Sequence, residues 1–274
     1  MNETNWNRLG DYLKQTQLLG SIQNTLYWDQ NTMMPKKGAS WRAEQLGYIA
    51  KKLHARNTSE EFASLIDAAK EELNSCKEGD AKFLEKKRNI QLLSKDMDRQ
   101  RKLDPKLVEL LAKAKSDGYQ NWQQAKLDSQ YETFLPFFKD LIKLRIEEAK
   151  QISENLSTWE TLAQPYEPDI SKKWVFKIFN PLKEVIPDLL EKSNKYLVKD
   201  WDLNKESQHL LCIKLLNEFG RDTDLVASAE SPHPFSITLG PSDYRITTRF
   251  VKGEPFSSFL ATAHEWGHSI YEQN

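Results

Sequence analysis

Apolar residues recur at three- and four-residue spacing along most of the first 220 positions, the period of a helix buried along one stripe. Residues 5–32 form the first predicted helix, with Leu9, Tyr12, Leu13, Leu18, Ile22, Leu26 and Tyr27 on its stripe, and Pro35 ends it. A second helix spans 39–54 through Leu46, Ile49, Ala50 and Leu53. Thr58 with Glu61 has capping-box spacing and opens a third helix that reaches about Leu73. Gly79-Asp80 restarts the chain for a helix through Phe83, Ile90, Leu92 and Met97. Asp104-Pro105 supplies an N-cap followed by proline at the first helical position, and Leu107, Leu110, Leu111 and Ala114 continue the pattern. Residues 131–152 carry Phe134, Phe137, Phe138, Leu141, Ile142 and Ile146, an aromatic stripe expected in the core. Tyr166-Glu167-Pro168-Asp169 reads as a turn, and helices follow at about 170–179, 181–197 and 206–218, closed by Gly220.

The period changes after Gly220. Residues 221–230 read as a polar loop. Phe235–Leu239 and Tyr244–Phe250 then flank Gly240-Pro241-Ser242-Asp243, two β-rich runs around a turn, which predicts a hairpin. On its second strand Arg245, Thr247 and Arg249 share one face, and Tyr244, Ile246, Thr248 and Phe250 the other. A last helix begins near Phe256. The predicted fold is mainly α: a helical body over 1–220, a hairpin over 231–252 and a terminal helix over 255–274, in one domain. No internal repeat or low-complexity linker divides it.

Composition narrows the partners. Lys and Arg total 39 against 40 Asp and Glu, a net charge of −1, which argues against nucleic acid or an acidic membrane as an obligate partner. Cys76 lies in a polar stretch and Cys212 inside an apolar run, so a disulfide framework is not expected and a reducing compartment fits. No signal peptide and no bilayer-spanning run are visible, which makes the cytoplasm the expected location.

The terminal helix carries the chemistry. His264-Glu265-Trp266-Gly267-His268 is the HExxH pattern, two imidazoles one helical turn apart with a carboxylate beside them. His264 and His268 are expected to bind Zn2+ as neutral imidazoles, and zinc to acidify a bound water and polarise the scissile carbonyl. Glu265, adjacent but not a ligand, is expected to take the water's proton and return it to the leaving amine. Phe256, Phe259, Ala263, Trp266, Gly267 and Ile270 form a second, apolar stripe, so the helix is expected to be buried on most sides. A close backbone approach would explain Gly267 there. A catalytic zinc takes a third protein ligand, expected from sequence beyond Asn274.

Two flanking residues have competing readings. Arg245 either grips a substrate carboxylate or pairs with Asp243 to fix the hairpin. His233 either donates to the carbonyl oxygen in the transition state or anchors its loop. His54 and His209 sit in ordinary helical contexts and read as structural or solvated.

Taken in order, His233-Pro234-Phe235, Asp243-Tyr244-Arg245-Ile246-Thr247 and His264-Glu265-Trp266-Gly267-His268 resemble the HPF, DxRxT and HExxH signatures of the carboxypeptidase Taq family. Trp28-Asp29-Gln30 through Met34-Pro35, and Arg42-Ala43-Glu44-Gln45-Leu46, are similar to that family's opening helices. The resemblance implies an almost all-helical fold with a deep cleft, removal of C-terminal amino acids from peptides, zinc or Co2+ as the metal, and commonly a homodimer. It carries His264 and His268 over as metal ligands and Glu265 as the base, with His233, Asp243, Arg245 and Thr247 as motif positions. It also implies that the third ligand is a glutamate on a later helix, so this chain is the N-terminal portion of such an enzyme, inactive alone. Two other readings stay open: a zinc oligopeptidase cutting internal bonds, and a helical interaction module without catalysis.

Overall fold

The computed structural model describes residues 4–75, 81–193, 203–220, 222 and 224–273. Its elements in chain order are α1 Asn5–Thr32, a short 3-10 turn Lys36–Gly38, α2 Ala39–Asn57, α3 Glu60–Asn74, α4 Ala81–Arg101, α5 Pro105–Asp128 and α6 Tyr131–Ile152. They continue with α7 Thr158–Ala163, α8 Lys172–Lys192, α9 Lys205–Glu218, β1 Val226–Glu230, β2 Ser236–Gly240, β3 Asp243–Thr248 and α10 Pro255–Gln273. The mainly α architecture with a small sheet ahead of the last helix is as the periodicity predicts. Cys76 and Gly79-Asp80 lie outside the described residues.

Local chemistry explains most helix starts. Thr4, Ser59, Asp104, Ser171 and Asn204 each accept a backbone N–H of the first turn through a side-chain oxygen. The third helix is capped by Ser59, one residue after the Thr58 expected from capping-box spacing. Thr58 instead closes α2, its hydroxyl donating to the His54 carbonyl at 2.8 Å. Among the described residues, Ser157 with Glu160 forms a capping box, which opens α7, a helix too short for the periodicity to show. Gly220 stands at φ 75° just past α9, where the left-handed backbone favours glycine.

Two clusters form the core. Leu9 and Tyr12 of α1 pack with Phe62, Leu65, Ile66, Ala69 and Leu73 of α3 and Ile90 of α4. The second cluster joins Leu216 of α9, Val226 of β1, Tyr244 and Ile246 of β3, and Trp266 of α10. The C-terminal part of the α1 stripe is not core: Leu18, Ile22 and Tyr27 are exposed. The aromatic stripe of α6 is not core either. Phe137, Phe138, Ile142 and Ile146 are exposed, while Ala149 and Ile152 at its end are buried. Periodicity identifies an apolar face but not what covers it.

Over the described residues, the helices expected at 170–179 and 181–197 are one continuous α8, Lys172–Lys192, through Pro181 and Pro187, with no buried residue; residues 194–197 lie outside the described residues. Each proline removes one helical hydrogen bond, a loss eased where the carbonyl left behind can reach water.

The sheet has order β1-β3-β2. β2 and β3 are the predicted antiparallel hairpin, pairing Ser236 with Ile246 and Thr238 with Tyr244, with a register shift between Thr238 and Gly240. β1, which the sequence presented as loop, pairs parallel to β3 from Val226↔Tyr244 to Glu230↔Thr248. Val-Ala-Ser-Ala-Glu has little intrinsic β preference, and its pairing is decided by β3. The Ile66 side chain is 1% exposed. Ile66→Ala is therefore expected to cost about 2–5 kcal/mol in urea unfolding, and Phe138→Ser on the open α6 stripe less than about 0.5 kcal/mol.

Candidate metal centre

One turn of α10 brings His264 and His268 together. Their Nε2 atoms lie 3.2 Å apart and their ring centroids 4.7 Å apart, with the rings nearly perpendicular. Both imidazoles are exposed. Two nitrogens each about 2.0–2.1 Å from a tetrahedral zinc would sit roughly 3.3 Å apart, so this pair fits the expected ion. Among the described residues no group of three or more His, Cys, Asp or Glu is arranged to hold a metal, so the histidines stand as a pair.

α10 is buried on one side only, which corrects the expectation of burial on most sides. Ser258, Thr262, Glu265, Trp266 and Ser269 are buried, whereas Leu260, Ile270 and Tyr271 are exposed with the two histidines. A Cβ added at Gly267 would meet nothing within 4 Å, so no close backbone approach accounts for that glycine. Glu265 is 8% exposed at the border of the two faces. Burial pushes its carboxyl pKa up, and electrostatic interaction with the nearby His264, His268 and His233 opposes that shift.

Polar contacts fix how α10 lies on the sheet. The Ser258 hydroxyl, fully buried, donates to Gln208 Oε1 at 3.0 Å, and the Ser258 carbonyl accepts from Thr248 and Thr262 at 3.1 and 2.8 Å. Gln208 Nε2 reaches the carbonyls of Leu203 and Val251, both at 3.0 Å. Ser236 and Ser269 hydroxyls lie 3.2 Å apart, and the Trp266 indole donates to the Phe219 carbonyl at 3.4 Å. Gln208 and Ser258 were not singled out from the sequence. The available signal was a polar residue on a stripe it shares with Cys212 and Leu215, one and two turns on.

The hairpin presents the remaining motif residues. The Arg245 guanidinium holds the Asp243 carboxylate through two 2.8 Å bonds and lies 5.4 Å from the Trp28 ring centroid. The carboxylate raises the Arg245 pKa, against the smaller effect of burial. Of the two readings of Arg245, the ion pair is the one present. Thr247 is 1% exposed and works inward. Its Oγ1 accepts the Phe235 N–H at 2.9 Å and lies 2.6 Å from Ser231 Oγ, which is itself 2.6 Å from the His233 carbonyl oxygen. Thr247 and Ser231 thereby pin the loop that carries His233, whose exposed ring is near enough for its charge to act on Glu265.

The N-terminal helices hold this hairpin from the other side. Ser21 donates to the Leu239 carbonyl, Asn24 to the Thr238 carbonyl at 3.0 Å, and Tyr27 and Trp28 meet Phe235 edge-on. Arg42 of α2 anchors that end of α1 through the Leu26 carbonyl and Asp29. The other histidines lie elsewhere: His54 is buried against Gln100 and the Leu103 carbonyl, and His209 packs on Phe250. Cys212 is buried. No helix among the described residues is long and apolar enough to cross a membrane.

The chain is similar to known proteins. A family model described as Carboxypeptidase Taq (M32) metallopeptidase matches residues 8–274. The chain is 27% identical to thermostable carboxypeptidase 1 of Thermus thermophilus, covering 99% of this chain and 55% of the relative. It is 29% identical to carboxypeptidase 1 of Bacillus subtilis, over 96% of this chain and 53% of the relative. Among solved structures, BsuCP superposes with a TM-score of 0.88 at 27% identity, over 98% of this chain and 54% of that one. Metallocarboxypeptidase 1 of Trypanosoma cruzi gives 0.79 at 25% identity, over 98% and 55%. The chain spans about half the length of the relatives it matches.

Two measurements check this geometry. Thr247→Val takes the acceptor from the Phe235 N–H and leaves the Ser231 hydroxyl only the His233 carbonyl, and is expected to cost about 1–3 kcal/mol in urea unfolding. Glu265 has a folded-state pKa above its unfolded value. Its contribution to stability is therefore full below the unfolded carboxylate range and lost as pH rises through the folded value. Metal-free Glu265→Gln is expected to melt above the wild type at pH 8, with the gap closing at pH 4.

Proposed function

The chain belongs to the carboxypeptidase Taq (M32) metallopeptidase family, and on that premise we propose that it is the N-terminal part of a zinc metallocarboxypeptidase. In this reading residues 1–274 are one portion of a larger catalytic domain: a helical body over 1–220, a hairpin over 231–252 and the HExxH helix over 255–274. The observation that carries it is the convergence of His264 and His268 Nε2, 3.2 Å apart, with the buried Glu265 beside them.

His264 and His268 would hold a divalent ion, Zn2+ or Co2+, and a glutamate from a region corresponding to the part of the relatives that this chain does not cover would complete the ligand set. When bound, the metal ion supplies an acidified water and polarises the scissile carbonyl. Glu265 accepts the proton of the attacking water and passes it to the departing amine. Its partial burial suits both tasks, because a carboxyl with a raised pKa holds that proton better at neutral pH. His233, on the loop pinned by Thr247 and near enough to act electrostatically on Glu265, donates to the developing oxyanion in this reading. The Asp243–Arg245 pair stiffens the strand that borders the cleft, and the bidentate geometry supports that role over direct capture of the substrate. The substrate is a peptide with a free C-terminal carboxylate. We place the enzyme in the cytoplasm as a homodimer, with neither nucleic acid nor membrane as partner.

In the complete enzyme, Glu265→Gln is expected to lower kcat by about 10²–10⁴-fold with metal content unchanged. Full activity in that variant would favour a non-catalytic helical module. Undiminished cleavage of a C-terminally amidated peptide would replace the exopeptidase reading with an oligopeptidase. The chain by itself is expected to bind zinc with micromolar or weaker affinity, because two imidazoles leave the site open. Competition against a chromophoric chelator measures this, and tight stoichiometric binding would contradict it.

A further inference from the structure

A cavity of about 540 Å³ lies in the helical body, bounded by α1, α2, α5 and α6 and away from the HExxH helix. Its walls are apolar where Leu46, Leu103, Val108 and Leu111 line it. Its polar side is unusual. Gln30 is 5% exposed and spends its oxygen on the Ser116 hydroxyl, a 2.8 Å bond, which leaves its Nε2 donor without any partner among the described residues. One turn on from Ser116 the buried Tyr119 hydroxyl makes no hydrogen bond of normal geometry, Gln123 being the polar side chain near enough to act on it. Burial pushes the Tyr119 pKa up to about 12, with a smaller opposing effect from Gln123, so the phenol stays protonated. Lys115, an exposed residue four positions before Tyr119, lines the cavity and makes no ion pair among the described residues. The Arg145–Glu148 pair closes the set at 2.5 Å.

The chemistry of the lining specifies its occupant. A buried polar group without a partner costs about 1–3 kcal/mol, and native proteins rarely leave two in one cavity. The Gln30 amide N–H and the Tyr119 phenol are the buried groups here, and the exposed Lys115 ammonium stands beside them; all three can donate. Two cations, Lys115 and Arg145, face one carboxylate, Glu148. The geometry points to a binding site for a small apolar carboxylate: its oxygens take the Gln30 amide, the Tyr119 hydroxyl and Lys115, and its hydrocarbon lies on the leucines. This site makes no use of the metal centre. It adjoins the hairpin, because Tyr27 and Asn24 line the cavity and also contact Phe235 and Thr238.

The test is titration calorimetry of the chelator-treated chain with 4-methylpentanoate and with its uncharged isostere 4-methylpentanamide. Removing metal keeps carboxylate ligation at the histidines from mimicking the site. Saturable binding of the acid, about tenfold tighter than the amide, is expected on the scale of one hydrogen bond to a charged group. Tyr119→Phe removes only the orphan hydroxyl. It is expected to weaken the acid about tenfold without lowering the melting temperature, and Lys115→Met to do the same. Absence of saturable binding, as for a cavity that holds only water, overturns the proposal. Equal binding of acid and amide, or unchanged binding by both variants, also overturns it.

Discussion

The fully buried hydrogen-bond network around Ser258 and Gln208 decides where the chemistry of this protein can happen. Ser258, Gln208, Thr248 and Thr262 are almost without solvent exposure, and each side chain finds a partner in α9, α10, β3 or the segments that flank them. The apolar contacts of Trp266 with Leu216, Val226 and Ile246 hold α10 on the sheet but tolerate sliding and rotation. Hydrogen bonds are directional, and a buried one left unmade is costly, so the network permits one rotation and one axial position. That rotation turns Glu265 toward the protein and leaves His264 and His268 open.

The same logic extends outward from β3. Its inward residues do structural work: Thr247 fixes the His233 loop and Tyr244 and Ile246 fill the second core cluster. Its partly exposed residue, Arg245, is tied to Asp243 and lies against Trp28. Trp28 is held by Arg42 through the neighbouring Asp29 and Leu26 carbonyl. Motifs more than 200 residues apart thus meet at one hairpin. The resemblance of the N-terminal stretch to a carboxypeptidase family has this physical content: those residues brace the strand beside the metal helix.

The sequence was most legible where structure is local. Helix starts set by caps and prolines, such as Asp104-Pro105, follow from the chain's own backbone needs. The hairpin and the histidine pair follow from spacing alone. Legibility failed where a partner decides the outcome. β1 has small, weakly β-forming residues and is a strand because β3 pairs with it. The α6 stripe is amphipathic, yet Phe137 and Phe138 face outward, since an apolar face is buried only if some element arrives to cover it.

The sequence by itself determined the helical content, the hairpin, and the pairing of two imidazoles with a carboxylate, because each depends on residues within a few positions of one another. The tertiary structure alone decided that Glu265 is buried while its neighbouring histidines are exposed. It also decided that Arg245 is committed to Asp243, and that Gln30, Tyr119 and Lys115 look into one cavity. Those outcomes depend on which surfaces of distant helices meet. Water removed from one side of a helix, and left on the other, is a property of the assembled fold and is not written in any local pattern.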